Sequence, residues 1–127
     1  MKIIVDCYGG DHCPVEAVTG AVAALEKLPE LSVVLTGDEK EISALLQGHK
    51  YDGGRLEVVN ASEVITNSDP PAKAVMRKKD SSTVVGLNLL KEGGADGMVS
   101  SANTGALLVG GSIILGLSEG VTRAALC

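Results

Sequence analysis

Short apolar runs alternate with amphipathic segments along the whole chain. Four runs rich in aliphatic residues predict buried strands, near residues 2–6, 31–36, 56–60 and 97–100. After the first run, apolar residues recur at steps of three and four, which predicts a helix that has Pro14 at its first position and ends at Pro29. After the second run, Asp38 and Glu41 form a capping box for a shorter helix. The first half of the chain is therefore predicted to run β-α-β-α-β.

The second half of the chain begins less regularly. Residues 61–69 follow neither a helical nor a strand period, and Pro70-Pro71 ends this stretch. Two helices are predicted next, over residues 72–79 and 82–92, and Gly93-Gly94 closes the second of them. Strands that alternate with helices at this spacing predict an α/β fold with a parallel sheet covered by helices on both faces.

The last predicted helix opens at Asn103 or Thr104 and runs to Leu115. Residues 105–117 are apolar on nearly every side, so we expect a missing C-terminal segment or a second subunit to cover them. Residues 121–127 are predicted to lead into another buried strand, over residues 124–127. We therefore expect residues 1–127 to be an N-terminal portion of a single α/β domain in a longer chain.

Composition excludes several classes of protein. Hydrophobic residues make up 45% of the chain and charged residues 21%, which is typical of globular proteins, and a chain without Phe or Trp must have an aliphatic core. The net charge of -5 argues against nucleic-acid binding, which needs a basic surface and usually aromatic stacking. Three cysteines in a chain that begins without a signal peptide indicate a cytoplasmic location.

No metal or cofactor is expected. Cys7, His12 and Cys13 lie close together in the sequence, but their spacing matches no zinc pattern, and we interpret the cysteines as small apolar residues. Neither a Walker A motif nor a Gly-x-Gly-x-x-Gly motif occurs. Residues 116–120 match a nucleophile elbow, yet the motif follows a helix where it needs a strand, and no His comes after it.

Two loops that follow predicted strands carry more glycine and polar residues than a turn requires. Ligands of open parallel sheets bind beyond the carboxyl ends of the strands. In the first loop, Gly9 and Gly10 would let the backbone approach a ligand, although a plain strand-to-helix connection with Asp11 near the helix start is the alternative. The second loop leads into a helix N-terminus, which favours an anion or a carbonyl oxygen. Its candidate residues are Asn103, Thr104 and Gly105.

A basic cluster stands out in this acidic chain, which has 11 Lys and Arg residues against 16 Asp and Glu. The cluster consists of Lys73, Arg77, Lys78 and Lys79. Ser81 and Ser82 follow it and start the next predicted helix, so basic side chains and a helix N-terminus meet at one junction. That combination suits phosphate, whereas the alternative is a solvated helix face.

Four motifs resemble, in the same order, those of the bacterial PlsX-type phosphate acyltransferases. They are Asp6-x-x-Gly9-Gly10-Asp11-x-x-Pro14, Ala61-Ser62-Glu63-Val64-Ile65, Arg77-Lys78-Lys79-Asp80-Ser81-Ser82 and Asn103-Thr104-Gly105-Ala106. Cys7-Tyr8 stands where members of the family commonly have Ala-Met, and Ser101-Ala102 where a small residue and Gly are common. Neither departure removes a charged or amide group.

The resemblance implies an activity, a fold and partners. The activity is transfer of a fatty acyl group from acyl carrier protein to inorganic phosphate, which gives acyl phosphate for phospholipid synthesis. The fold is a three-layer α/β/α, Rossmann-like, mostly parallel sheet, related to isocitrate and isopropylmalate dehydrogenases and to phosphate acetyltransferases. The resemblance also implies a homodimer. We expect any peripheral membrane association to involve parts of the protein outside these 127 residues.

The implied chemistry fits the candidate residues. Phosphate is itself the nucleophile, so the protein has to position it and stabilise the tetrahedral oxyanion with preorganised donors. We expect Asn103, Thr104 and the Gly105 backbone to supply those donors, and Asn103→Ala to leave folding nearly intact while lowering the rate about a hundredfold.

The other candidates would act on phosphate. Gly9, Gly10, Lys78, Ser81 and Ser82 are expected to contribute to phosphate binding, with Lys79 or Arg77 offsetting its charge. Asp11 would orient these cations or cap a helix. Two other functions stay open: a short-chain phosphate acetyltransferase on the same fold, and a non-catalytic anion-binding or dimerisation module.

Overall fold

Four parallel strands form one sheet in the computed structural model, which describes residues 1–125. They are β1 (Lys2–Asp6), β2 (Ser32–Gly37), β3 (Leu56–Asn60) and β4 (Gly97–Ser100). Their order is β3-β2-β1-β4, and Ile4 of β1 lies between Val34 of β2 and Met98 of β4. The chain thus builds outward from β1 to β3 and then returns to the other side of β1. The four predicted strands and their parallel pairing are confirmed.

The helices fall close to their predicted positions. They are α1 (Val15–Lys27), α2 (Glu39–Leu46), α3 (Pro71–Arg77), α4 (Ser82–Lys91) and α5 (Thr104–Gly110), and a π-helical turn over Gly111–Leu115 continues the last of them. Asp38 caps α2 and Ser81 caps α4 through their side chains. Pro14 occupies the N-cap of α1 and not its first turn, because the helix begins one residue later than expected.

Side-chain alternation along the strands separates two helical layers. Val33 and Leu35 of β2 face α1 and α2, where an aliphatic cluster forms with Val18, Leu25 and Ile42. The opposite face meets α4, whose Gly86 lies so close that an added Cβ would be 2.8 Å from the Met98 Cε atom. Helices α3 and α5 pack against each other beside α4. The result is the three-layer α/β/α arrangement that was predicted.

The C-terminal part of the described chain exposes several large apolar side chains. Ile113 is 57% exposed, Leu115 42% and Leu117 45%. The expectation that a further segment or subunit covers them stays a prediction. Residues 121–125 form no helix or strand, and the rest of the strand predicted over 124–127 lies outside the described residues. Among residues 1–125, no helix is both long enough and apolar enough to cross a membrane.

Arg55 holds the connection between α1 and β2 in place. Its guanidinium donates to the carbonyl oxygens of Leu25 at 3.0 Å, Leu28 at 3.1 Å and Leu31 at 3.1 Å, and it also pairs with Asp52. The first two acceptors belong to the end of α1, where carbonyl groups lack partners within the helix. One side chain that precedes β3 thereby fixes the end of the first helix.

We expect Arg55→Ala to lower the free energy of unfolding of the complete protein by about 2 kcal/mol, because charged hydrogen bonds to several carbonyls are lost together. Arg55→Lys should recover little of this loss, since an ammonium lacks the planar fork of donors. Urea denaturation of both variants, with the exposed Lys50→Ala as control, measures the effect. Equal stability of Arg55→Ala and Lys50→Ala would contradict it.

Candidate functional site

A cleft of about 280 Å³ lies at the carboxyl ends of β1 and β4. These two strands flank the point where the strand order reverses, which is where open α/β sheets bind ligands. Loops that follow three strands border the cleft: the loop after β1, the loop after β3 through Asn67, and the loop after β4 through Ser101. The lining residues are Cys7, Gly10, Asp11, His12, Cys13, Glu16, Ala17, Asn67 and Ser101.

Two glycines allow the loops after β1 and β4 to touch. Gly9 has a φ of +96°, and a Cβ there would lie 2.6 Å from the Cβ of Ala102. At Gly10, a Cβ would lie 2.8 Å from the Oγ atom of Ser101. The structure therefore brings the first two predicted loops together, and the adjacent glycines serve contact between the loops themselves.

The cleft does not contain the basic cluster. Asp11 is exposed at its edge, and the other carboxylate in its lining is Glu16. Lys73, Arg77 and Lys78 instead line a separate hollow of about 360 Å³ on α3. The residues predicted to act on phosphate are thus divided between two places on the surface.

Lys78 is used within the fold. Its ammonium donates to Asp69 Oδ2 at 2.7 Å and to the carbonyl oxygen of Val64 at 2.8 Å. The hydrogen bond from Lys78, followed by one from the Thr66 N–H group, lowers the pKa of Asp69 below its ordinary value. This ion pair ties the end of α3 to the loop after β3, while Arg77 and Lys79 extend into solvent.

Asn103 is also engaged in the fold. It is 7% exposed, and its side-chain oxygen accepts from the Ala106 N–H group at 3.0 Å, which caps α5. Both amide hydrogens are taken, by the carbonyl oxygens of Thr66 at 3.0 Å and of Asp69 at 3.1 Å. The amide has no donor left for a substrate oxyanion in this arrangement, and its loss would disturb the loop over residues 66–69.

The neighbours of Asn103 differ in exposure. Thr104 is exposed at the first position of α5. Gly105 lies against α3, where a Cβ would come within 2.6 Å of the Cγ atom of Pro71. The glycine therefore permits close packing of two helices, and Thr104 is the exposed member of the predicted set of three.

The second and third sequence motifs contact each other. The N–H group of Glu63 donates to the Asp80 carbonyl at 3.0 Å, and Ser82 donates back to the Glu63 carbonyl at 3.3 Å. Ser62 donates to the Asp80 carboxylate through its hydroxyl and its N–H group, and these bonds lower the pKa of Asp80. The segment over residues 61–63 thus orders the turn before α4.

The two serines at this turn have different roles. Ser81 is fully buried, and its Oγ atom accepts from the Val84 N–H group at 3.2 Å as the cap of α4. Ser82 is 1% exposed, and its Oγ atom has no hydrogen-bond partner among the described residues. Neither hydroxyl is exposed to a soluble ion in this arrangement.

A buried polar cluster around Asp6, at the carboxyl ends of the strands, was not predicted. Asp6 is 1% exposed and accepts from the Thr83 hydroxyl at 2.6 Å and the Ser100 hydroxyl at 2.9 Å. Thr36 donates to the Ser82 carbonyl at 3.0 Å on the same face. A charged residue at the end of an otherwise apolar strand was the signal available in the sequence.

Two residues that depart from the common family pattern occupy tight positions. Burial, together with the nearby Asp6 charge, raises the pKa of the Cys7 thiol to about 12, so it is an inert thiol at neutral pH. Tyr8 packs against Gly37, and its hydroxyl donates to Glu41. Burial and this bond raise the pKa of Tyr8. Within residues 1–125, no group of three or more His, Cys, Asp or Glu side chains is placed to hold a metal.

Solved structures share this arrangement. A EutD phosphotransacetylase from Staphylococcus aureus superposes with a TM-score of 0.60 at 22% identity, over 95% of this chain and 40% of that one. A phosphotransacetylase from Streptococcus pyogenes gives a TM-score of 0.61 at 24% identity, over 96% of this chain and 40% of that one. These superpositions support a shared Rossmann-like fold. At sequence identities this low, they do not indicate a shared substrate.

Sequence comparison is more specific. A phosphate acyltransferase of Clostridioides difficile (strain 630) is 44% identical over 127 residues, which is 100% of this chain and 37% of that protein. A phosphate acyltransferase of Alkaliphilus oremlandii (strain OhILAs) is 47% identical over 126 residues, 99% of this chain and 37% of that protein. The chain therefore spans little more than a third of the length of these relatives. Residues 1–127 match the family described as "Fatty acid synthesis protein", and the chain belongs to that family.

Proposed function

We propose that the complete protein transfers a fatty acyl group from acyl carrier protein to inorganic phosphate and so makes acyl phosphate for phospholipid synthesis. The observation that carries this proposal is identity of 44% and 47%, along essentially the whole chain, to proteins named phosphate acyltransferase. The cleft at the strand-order reversal supports the proposal, because open α/β sheets bind ligands at such a position.

The reaction needs positioning more than a protein nucleophile. A phosphate oxygen attacks the thioester carbonyl carbon, a tetrahedral oxyanion forms, and the C–S bond then breaks so that the carrier thiolate leaves and takes up a proton. Preorganised hydrogen-bond donors that face the oxyanion lower the barrier of such a reaction. No Ser-His or Cys-His pair is required, and the buried, protonated Cys7 thiol is not needed as a nucleophile.

The candidate donors lie at the start of α5. Thr104 offers an exposed hydroxyl, and the N–H groups of Thr104 and Gly105 precede the one that the Asn103 side chain satisfies. We assign the oxyanion contact to Thr104 and Gly105, and we assign Asn103 the task of fixing the helix start against the loop over residues 66–69.

We assign the exposed cations to the negative charge of phosphate. Arg77 and Lys79 extend from the end of α3, whereas Lys78 is neutralised by Asp69. Because the 360 Å³ hollow on α3 is separate from the 280 Å³ cleft, these cations also suit the acidic surface of a carrier protein. We assign Gly10 and Asp11 to the cleft wall, and Gly9 to the contact between the loops after β1 and β4.

A turnover assay with the complete protein tests the function. We expect acyl phosphate to form from long-chain acyl carrier protein and inorganic phosphate, with little product from acetyl-coenzyme A. The opposite preference would replace the proposal with a short-chain phosphate acetyltransferase. If the folded protein turned over neither donor, the remaining hypothesis would be a non-catalytic anion-binding or dimerisation module.

The dependence of KM on ionic strength tests the proposed role of Arg77 and Lys79. We expect Arg77→Ala and Lys79→Ala to raise the KM for phosphate or for the acyl carrier about threefold to fivefold at low salt, with the effect shrinking as salt screens the charges. Lys40→Ala, which removes an exposed charge on α2, is the matched control. Equal KM values for all three variants at low salt would place the anion site elsewhere.

The complete protein is also proposed to be a cytoplasmic homodimer. The exposed apolar side chains of Ile113, Leu115 and Leu117 support a second copy or a further segment of the same chain as their cover. Analytical ultracentrifugation of the complete protein at micromolar concentration distinguishes dimer from monomer.

A further inference from the structure

A buried carboxylate joins α4 to two of the segments that border the cleft. Asp6 Oδ2 accepts from the Thr83 hydroxyl at 2.6 Å and from the Ser100 hydroxyl at 2.9 Å, and Oδ1 accepts from the Tyr8 N–H group at 3.2 Å. The donors come from the first turn of α4, the end of β4 and the loop after β1.

The hydrogen bonds continue from Asp6 into the loop after β4. Because the Ser100 hydroxyl gives its proton to Asp6, its oxygen is left to accept from the Ala102 N–H group, at 3.1 Å. The Cβ of Ala102 is the atom that a side chain at Gly9 would strike. One carboxylate therefore fixes a loop on each side of the cleft.

The charge of Asp6 is held without a cation. None of the ion pairs among residues 1–125 includes Asp6, although its side chain is 1% exposed. A buried charge is costly unless hydrogen bonds satisfy it, and three donors do so here. An arrangement this demanding holds its partners in one geometry, since each of them loses its bond when the carboxylate moves.

We propose that Asp6 is a positioning residue for acyl transfer: through Ser100 it holds the loop over residues 101–103 in the conformation that borders the cleft and leads into α5. The inference rests on the proposed function, because Thr104 and Gly105 at the start of α5 are the assigned oxyanion donors. It adds that their placement depends on a carboxylate that touches neither substrate.

Asp6→Asn tests the proposal, since it keeps the size of the side chain but supplies an amide that must face a donor. We expect kcat to fall about a hundredfold, the scale of a displaced catalytic group, with the KM for phosphate within threefold of the parent value. Ile4→Val on the same strand is the control, because it weakens the core without touching this chain of hydrogen bonds. It should keep the parental kcat at temperatures where both variants are folded.

Substitutions of Ser100 provide a second test of the proposal. We expect Ser100→Ala to lower kcat about as much as Asp6→Asn, the double variant to be no slower than Asp6→Asn, and Ser100→Thr to recover most of the rate because the hydroxyl returns. A kcat for Asp6→Asn within threefold of the parent, or fully multiplicative losses in the double variant, would overturn the proposal.

Amide hydrogen exchange separates this inference from the proposed function. We expect the Ala102 amide to exchange at least about tenfold faster in Asp6→Asn than in the parent, and to be unchanged in Ile4→Val. If the parent protein turns over no acyl donor, the proposed reaction fails, yet faster exchange at Ala102 would still support Asp6 as the residue that holds the loop. Unchanged exchange would overturn that role with or without turnover.

Discussion

Asn103→Ala is expected to lower the free energy of unfolding of the complete protein by about 3 kcal/mol and to abolish most of its acyl transfer. The substitution removes the cap of α5, which contributes about 1 kcal/mol, and it leaves the carbonyl groups of Thr66 and Asp69 without their donors, at about 1–3 kcal/mol. This expectation replaces the one made from the sequence, that folding would stay nearly intact. Urea denaturation monitored by circular dichroism measures the loss.

Asn103→Asp refines this experiment. A carboxylate still caps the helix, but it presents an oxygen to the two carbonyl groups that the amide now serves, so we expect it to be no more stable than Asn103→Ala. Thr104→Ala, one residue along, removes an exposed hydroxyl and should change stability by less than about 0.5 kcal/mol. If Asn103→Ala were as stable as Thr104→Ala and merely slower, Asn103 would be a donor to substrate after all.

The sequence was most informative where a local rule decides the outcome. The aliphatic runs became the four strands, since a parallel sheet buried on both faces needs continuous apolar residues. Asp38 and Ser81 cap their helices as their positions predict, because a cap depends only on the next three residues. Of the capping box predicted at α2, the Asp38 half is confirmed, because its side chain accepts from the Glu41 N–H group. The Glu41 side chain instead accepts from the hydroxyl of Tyr8, which lies far away in the sequence.

The candidate site was harder to predict because its contacts join distant segments. Asn103 reads as a cap from its neighbours, and nothing local shows that its amide reaches a loop 37 residues earlier. Four basic residues within seven positions resemble one anion site, yet Lys78 pairs with Asp69 while Arg77 and Lys79 are exposed to solvent. The position of the neighbouring loop determines which side chain of a short helix contacts it. Hydrophobic periodicity along the sequence does not give the position of that loop.

The glycines show the same limit. Adjacent glycines in a loop after a strand suggest close approach to a ligand, and Gly9 does need its left-handed backbone. The structure shows that the close approach is to Ala102 of another loop. Contact with a neighbouring loop explains the glycine at this position, and a role in ligand binding stays a prediction, because a ligand and a neighbouring loop both require the absence of a side chain.

Gly9→Ala should therefore have an effect as large as the loss of Asn103. An added Cβ would lie 2.6 Å from the Ala102 Cβ, 2.9 Å from the Ala102 Cα and 3.2 Å from the Ile65 carbonyl oxygen, at a φ of +96°. Left-handed backbone costs a residue with a side chain about 1–2 kcal/mol, and overpacking adds about 1–3 kcal/mol. We expect the free energy of unfolding to fall by about 3 kcal/mol.

Gly20→Ala is the matched control, since it makes the same chemical change within α1, where an added Cβ meets nothing within 4 Å. It should raise stability by about 0.5–1 kcal/mol, because alanine favours a helix, and should leave acyl transfer unchanged. Gly9→Ala should also slow the reaction by about a hundredfold, since the loops after β1 and β4 can no longer meet. Urea denaturation and turnover measured on both variants decide the matter. Parental activity in Gly9→Ala would mean that contact between these loops does not shape the site, and that the cleft at the end of β1 and β4 is not where phosphate attacks the acyl group.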